Sequence, residues 1–134
     1  MKLRLRGNSI RIRLTQSEVK ALAETGAWEE SVAFDPSASH RLVYRVEAAL
    51  VARPSVEMSG HGTGTLVRAT LPVADVVKWA RGADVGMYFE EPWGLKVAIE
   101  KDFRCLDGDR NEDESDNFDN PNAAGSLHTN CDAD

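Results

Sequence analysis

Apolar and charged side chains alternate along residues 2–14, which is the pattern of a strand pair with one buried face. A Gly7-Asn8 step interrupts the alternation and is typical of a tight turn between two strands. The stretch therefore predicts an antiparallel hairpin. Its buried face is expected to carry Leu3, Leu5, Ile10, Ile12 and Leu14.

A helix is predicted directly after this hairpin. Thr15 and Glu18 stand three residues apart, as in a capping box, where the hydroxyl and the carboxylate satisfy backbone N–H groups at a helix start. Apolar residues follow at helical spacing from Val19 onward, and Gly26 is the expected end of the helix.

The chain up to residue 101 divides further into six strands and a second helix. Pro72 suits the first turn of a helix and is expected to open one at 73–81. A glycine-rich turn is expected at 60–64. The strands are predicted at 28–34, 41–50, 55–58, 65–71, 85–90 and 95–101.

The order strand, strand, helix, strand, strand occurs twice in these predictions. Residues 14–19 align with 71–76 at the helix start, and residues 42–47 align with 95–100 in a later strand. This indicates a degenerate internal duplication, although shared hairpin patterns can imitate one. The predicted fold class is α+β, with an antiparallel sheet backed by two short helices and followed by an irregular acidic C-terminal tail.

The alternation also assigns a set of cations to one face of the predicted sheet. If the helices cover the apolar face, the opposite face displays eight Lys and Arg side chains, with Glu47 and Glu100 among them. Such a face suits a phosphate or carboxylate ligand, because arginine binds these groups bidentately. The favoured interpretation is nevertheless a solvated face whose cations discourage edge pairing. The candidate ligand-binding residues are Arg4, Arg6, Arg11, Arg13, Arg45 and Arg68, and the face also carries Lys2 and Lys96.

Length and charge divide the chain into one domain and a tail. A chain of 134 residues buries one core of normal size, so we expect a single α+β domain at 1–101 and an acidic tail at 102–134 packed on it. The first part carries 14 Lys and Arg against 12 Asp and Glu, and the tail carries 2 against 10. The acidic excess disfavours non-specific binding to nucleic acid.

The sequence predicts a cytoplasmic protein. Its first residues lack the continuous apolar stretch of a signal peptide, and no run of about 18 apolar residues predicts a membrane span. In a reducing cytosol, a pair of cysteines is more often free, metal-bound or redox-active than joined in a structural disulfide.

The tail contains a candidate transition-metal site. Cys105, His128 and Cys131 supply two thiolates and an imidazole, and the His-x-x-Cys spacing lets two ligands reach the same ion. Zinc fits this set, with an Asp or a water as the fourth ligand. Two alternatives stay open: Cys105 as a small core residue beside Phe103 and Leu106, and a Cys105–Cys131 disulfide.

Calcium is the less favoured cofactor. Acidic and amide side chains alternate over 107–113 as in the first half of a calcium loop. However, Glu112 occupies the position of the required glycine, and Phe118 stands where a bidentate Glu closes such a site.

The sequence lacks the signatures of common enzyme classes. There is no Gly-x-Ser-x-Gly, and the glycines around His61 lack the strand before and the helix after that a phosphate-binding loop needs. We interpret His61 as a turn residue and His40 as structural or exposed. A Cys105–His128 nucleophile and base pair is disfavoured, since the two residues are separated by the acidic stretch.

Two stretches resemble a small bacterial family of uncharacterised proteins with a domain-of-unknown-function label. The first is KLRLRGNSIRIRLTQSEV at 2–19, and the second comprises EKDFRCL at 100–106 and EDESDNFDNP at 112–121. Asp119 departs from the proline expected before Asn-Pro. The resemblance covers nearly the whole chain. It implies that the basic hairpin and the cysteine-containing acidic tail are both features of this family, but it implies no activity.

These observations favour a non-enzymatic binding or structural protein whose tail folds back on the sheet, with zinc or another transition metal as its cofactor. The alternative is a binding module or an enzyme for a small anionic ligand on the arginine-rich face. A third interpretation is structural. The acidic residues 112–116 form ion pairs with the arginines, so the acidic tail and the arginine-rich face neutralise each other.

Overall fold

A computed structural model describes residues 1–104 and 115–121, in which eight strands and two helices follow one another. The first half contains β1 (Lys2–Arg6), β2 (Ser9–Leu14), α1 (Gln16–Thr25), β3 (Ala27–Ala33) and β4 (Arg41–Ala49). The second half contains β5 (Ser55–His61), β6 (Gly64–Pro72), α2 (Val73–Arg81), β7 (Gly86–Glu90) and β8 (Lys96–Lys101). The α+β class and both helices are therefore confirmed.

The strands form two four-stranded mixed sheets, so the expectation of a single antiparallel sheet is wrong. The first sheet has the order β1-β2-β8-β7 and the second the order β3-β4-β6-β5. The outer pairs are antiparallel hairpins, whereas the central pairs β2–β8 and β4–β6 are parallel. Alternation along the sequence encodes hairpins between neighbouring strands, but it carries no information on the direction of pairing between distant ones.

Each sheet combines one hairpin from each half of the chain. The first sheet joins the hairpin β1-β2 to the hairpin β7-β8, and the second joins β3-β4 to β5-β6. The helices lead from one sheet to the other, because α1 connects β2 to β3 and α2 connects β6 to β7. The internal duplication itself stays a prediction.

Both sheets and both helices contribute to one hydrophobic core. The capping box of α1 is present, with the Thr15 N–H donating to Glu18 Oε2 at 2.9 Å, and Gly26 ends the helix at φ 91°. The Trp79 indole N–H donates to the Val85 carbonyl at 3.2 Å, which ties α2 to the start of β7. The fully buried side chains of the core are Trp79, Ile12, Leu14, Leu22, Leu71, Ile99, Val46 and Val76.

The described part of the tail packs against the domain. The Phe118 N–H donates to the Asp102 carbonyl at 2.8 Å, and the Arg104 N–H donates to the Phe118 carbonyl at 2.6 Å. Asn117 and Asn120 are buried on either side of Phe118. Residues 115–121 therefore lie along the exit of β8, while the boundary between domain and tail stays a prediction.

Asp116 lies at the start of α1 and not on the arginine-rich face. Its carbonyl accepts from the Gln16 N–H at 3.0 Å, and its carboxylate accepts from the backbone and hydroxyl of Ser17. Hydrogen bonds from Ser17 and Thr15 hold the pKa of Asp116 below its ordinary value. Asp116 thus acts as a cap for α1 and does not pair with the arginines. The other acidic residues of that prediction, at 112–114, lie outside the described residues.

Within residues 1–104 and 115–121, neither helix has the length or the apolar composition needed to cross a membrane.

Candidate anion-binding groove

The cations of the first sheet share the face opposite to the core. Ile12 and Ile99 point into the core from β2 and β8, so their neighbours in sequence point the other way. The register places side chains of this outer face in rows across the four strands. One row is Arg4, Arg11, Ala98 and Tyr88, and the next is Arg6, Ser9, Lys96 and Glu90.

These two rows enclose a groove of about 770 Å³. Each central strand contributes one small and one long side chain to these rows, Ser9 and Arg11 on β2 and Ala98 and Lys96 on β8. The small side chains of Ser9 and Ala98 leave space between the longer ones around them. The described residues that line the groove are Arg4, Arg6, Ser9, Ile10, Arg11, Tyr88, Phe89, Glu90, Lys96, Val97 and Ala98.

The described lining is strongly cationic. The described lining contains Arg4, Arg6, Arg11 and Lys96 together with the carboxylate of Glu90. A concave surface with charges of one sign focuses the electrostatic field and attracts the opposite charge. The guanidinium groups present paired N–H donors in the geometry that carboxylate and phosphate oxygens accept.

Glu100 links the two sides of the groove. Its Oε1 lies 3.1 Å from Arg11 Nε, and its Oε2 accepts a hydrogen bond from the Tyr88 hydroxyl at 2.7 Å. Partial burial of the hydroxyl, together with this hydrogen bond, raises the pKa of Tyr88 to about 12. The hydroxyl therefore stays protonated at neutral pH and keeps donating to Glu100, which fixes the ring next to the groove.

Arg45 and Arg68 do not join the other four candidate arginines, so the expected common face is wrong. Both lie on the second sheet, because β4 and β6 pair with each other and not with β2. There Arg45 contacts Glu29 at 3.0 Å and Glu47 at 2.8 Å. Arg68 contacts Glu57 at 2.9 Å and Glu47 at 3.6 Å.

Charges therefore compensate one another on the second sheet, where two arginines meet three carboxylates. The hydrogen bond to Glu47, with a further one to Glu29, raises the pKa of Arg45 above its ordinary value. Arg13 does lie on the outer face of the first sheet, in the row of Lys2 and Glu100 beyond the described groove lining. The cationic groove thus brings together three of the six candidate arginines.

The candidate metal ligands Cys105, His128 and Cys131 lie outside the described residues, as does the stretch 107–113 considered for calcium. Within residues 1–104 and 115–121, no three His, Cys, Asp or Glu side chains are arranged to hold a metal ion. The zinc site in the tail stays a prediction.

A second polar cluster lies in the loop between β3 and β4. His40 Nδ1 lies 2.7 Å from Asp35 Oδ2 and 3.3 Å from the Ser39 hydroxyl. Hydrogen bonds from Ser39 and His40 hold the pKa of Asp35 well below its ordinary range. Because both oxygens approach the same ring nitrogen, His40 cannot pass a proton from Ser39 to Asp35, and the cluster is a loop-stabilising network.

Sequence reasoning missed Tyr88 and Ser9 as groove residues. The alternation of β7 places Tyr88 and Glu90 on one face, and this was the available signal. Alternation does not show that β7 pairs with β8, which is what places Tyr88 on the same sheet face as the arginines.

A family model described as a family of unknown function, DUF7009, matches residues 1–122 of the chain. Neither a curated protein nor a solved structure matches it.

Proposed function

We propose that this chain, which belongs to the DUF7009 family of unknown function, binds a small anionic ligand in the groove of the first sheet. The observation that carries the proposal is the grouping of Arg4, Arg6, Arg11 and Lys96 around one concavity. Phosphate and carboxylate groups are the ligands that such a grouping recognises.

The register of the first sheet supports this choice. The rows across the strands place Arg4 directly beside Arg11, and Arg11 Nε also lies 3.1 Å from Glu100 Oε1. Two neighbouring guanidinium groups together present the paired N–H donors that a phosphate or carboxylate group accepts.

The shape of the groove favours binding over a surface contact. Its volume of about 770 Å³ falls in the range of small-molecule sites, roughly 300–1,000 Å³. Its walls include the long side chains of Arg4, Arg6 and Tyr88. The lining offers many donors and, among the described residues, the Glu90 carboxylate, so binding is the chemistry that it supports best.

The test is isothermal titration calorimetry with inorganic phosphate, pyrophosphate and citrate at low ionic strength, where screening is weakest. The variant Arg4→Gln/Arg6→Gln removes two groove cations. If each contributes about 1 kcal/mol, affinity falls about 30-fold. The wild-type protein is expected to bind pyrophosphate more tightly than phosphate.

A matched control separates the groove from net charge. Arg53 and Lys78 are exposed and lie outside the described groove lining, so Arg53→Gln/Lys78→Gln removes the same charge elsewhere. We expect this control to bind anions within about twofold of the wild-type protein, since only long-range attraction changes. Absence of anion binding by the wild-type protein, or equal losses in the two variants, would overturn the proposal.

A further inference from the structure

We propose that the ligand of the groove is a nucleoside phosphate or a similar phosphate ester that carries an aromatic ring. This inference rests on the proposed function and narrows it. Its basis is the exposed ring of Tyr88 on the wall opposite to Arg4 and Arg6.

The two walls of the groove differ in chemistry. Arg4 and Arg6 stand on the edge strand β1, and Tyr88 and Glu90 stand on the other edge strand, β7. Three strand spacings separate the edges, which amounts to about 14 Å along the sheet. A ligand that touches both walls must therefore be elongated, with its anionic group at the β1 side and a different group at the β7 side.

Tyr88 offers a surface on which an aromatic ring can stack. The residue is 61% exposed although its hydroxyl is held by Glu100. The hydrogen bond restrains the ring, so less side-chain entropy is lost when a ligand stacks on it. Flat rings of nucleobases stack on such aromatic side chains without the need for specific hydrogen bonds.

Glu90 adds an acceptor on the same wall. Its carboxylate lies in the row next to Tyr88 and opposite Arg6 and Lys96 in the register of the sheet. Hydroxyl and amino groups donate to carboxylates, so Glu90 is placed to accept from a sugar or from the exocyclic amine of a base. A bare phosphate or pyrophosphate would leave this wall unused.

The charge distribution favours a single nucleotide over a polymer. The net charge of −6 comes from residues 102–134, and this acidic excess opposes the approach of a long polyanion to that part of the chain. The cationic lining covers one groove of about 770 Å³ and does not extend to the compensated arginines of the second sheet. Polymer binding needs a continuous basic track.

The experiment titrates the full chain with AMP, ribose 5-phosphate, adenosine and inorganic phosphate. AMP is expected to bind at least about fivefold more tightly than ribose 5-phosphate, which has the same phosphate but no aromatic ring. Adenosine is expected to bind more weakly than AMP. Equal affinities for AMP and ribose 5-phosphate would overturn the inference.

Variants of the ring give a second readout. Tyr88→Ala is expected to abolish the preference for AMP, so that the ratio of the AMP and ribose 5-phosphate affinities measured in this variant falls to about 1. Tyr88→Phe keeps the ring and loses the hydrogen bond to Glu100, so it should retain the preference for AMP. Trp93 is 66% exposed in the turn between β7 and β8, outside the described lining, and Trp93→Ala is the aromatic control.

The outcomes separate this inference from the proposed function. If no phosphate compound binds, the anion groove itself is wrong. If phosphate and pyrophosphate bind but AMP binds no more tightly than ribose 5-phosphate, the groove binds anions and the recognition of an aromatic ring is wrong. The same conclusion follows if Trp93→Ala lowers AMP affinity as much as Tyr88→Ala. If a ten-nucleotide oligothymidylate binds more tightly than TMP, the inference that the ligand is a single nucleotide and not a polymer is wrong.

Discussion

Replacing Phe118 by alanine tests how firmly the described tail segment holds to the domain. The ring is half-buried against the core, lies 5.8 Å from the Phe103 ring between centroids, and has the Lys101 ammonium 5.3 Å from its centre. A fully buried Phe→Ala change costs about 3–5 kcal/mol, so half burial gives about 2 kcal/mol. The aromatic pair and the cation contact add about 0.5 kcal/mol each.

The total destabilisation expected for Phe118→Ala is therefore about 3 kcal/mol, or roughly 10 °C in melting temperature for a chain of this size. Urea unfolding followed by tryptophan fluorescence measures it, because Trp79 is buried in the core. Phe34→Ala is the control: Phe34 is 68% exposed, and its replacement should cost less than about 0.5 kcal/mol. If the two variants unfold at the same urea concentration, the packing of residues 115–121 is not as described.

Two further predictions concern the groove and the tail. Glu100→Gln should lower the pKa of Tyr88 from about 12 toward its ordinary value of 10, because the hydrogen bond to a carboxylate is lost while the burial remains. Spectrophotometric titration of the tyrosinate band, with Tyr88→Phe to assign it, measures this change, and an unaltered titration curve would contradict the role of Glu100. Elemental analysis of protein purified without chelator should find stoichiometric zinc that Cys131→Ser abolishes. Wild-type protein without bound metal would refute the zinc site.

The sequence predicts the parts of this fold that depend on neighbouring residues. The hairpin β1-β2 follows from alternation around Gly7-Asn8, and the start of α1 from Thr15 and Glu18, because the contacts that stabilise these elements lie within a few positions. The helix opened by Pro72 has the same local origin.

Local sequence patterns do not predict the contacts between the two halves of the chain. Alternation placed Arg11 and Arg45 each on the correct face of its own strand, but not in different sheets, because period-two patterns do not identify the partner strand. For the groove, this meant that Arg4, Arg6 and Arg11 were predictable as a group, whereas Tyr88 required knowledge of the β7–β8–β2 pairing.

The sequence also does not predict how the described tail residues pack against the domain. Asp116 reads as one more acid in an acidic stretch, yet it caps a helix 99 positions earlier in the chain. Asn117 reads as a solvated residue, yet it is buried. Such assignments depend on backbone groups of distant elements, which leave no periodic pattern.

The parallel centre of each sheet has a consequence for how the protein emerges from the ribosome. In the second sheet, the central partners Leu42 and Thr65 are 23 positions apart, whereas in the first sheet Ser9 and Lys96 are 87 positions apart. Because closing a longer loop costs more entropy, we expect the second sheet to close early and the first sheet late. The arginines of β1 and β2 are translated before β7 and β8, so the groove that they form cannot exist until β7 and β8 have been synthesised. Ligand binding at the groove would then report that the first sheet has closed, a step that the second sheet does not need.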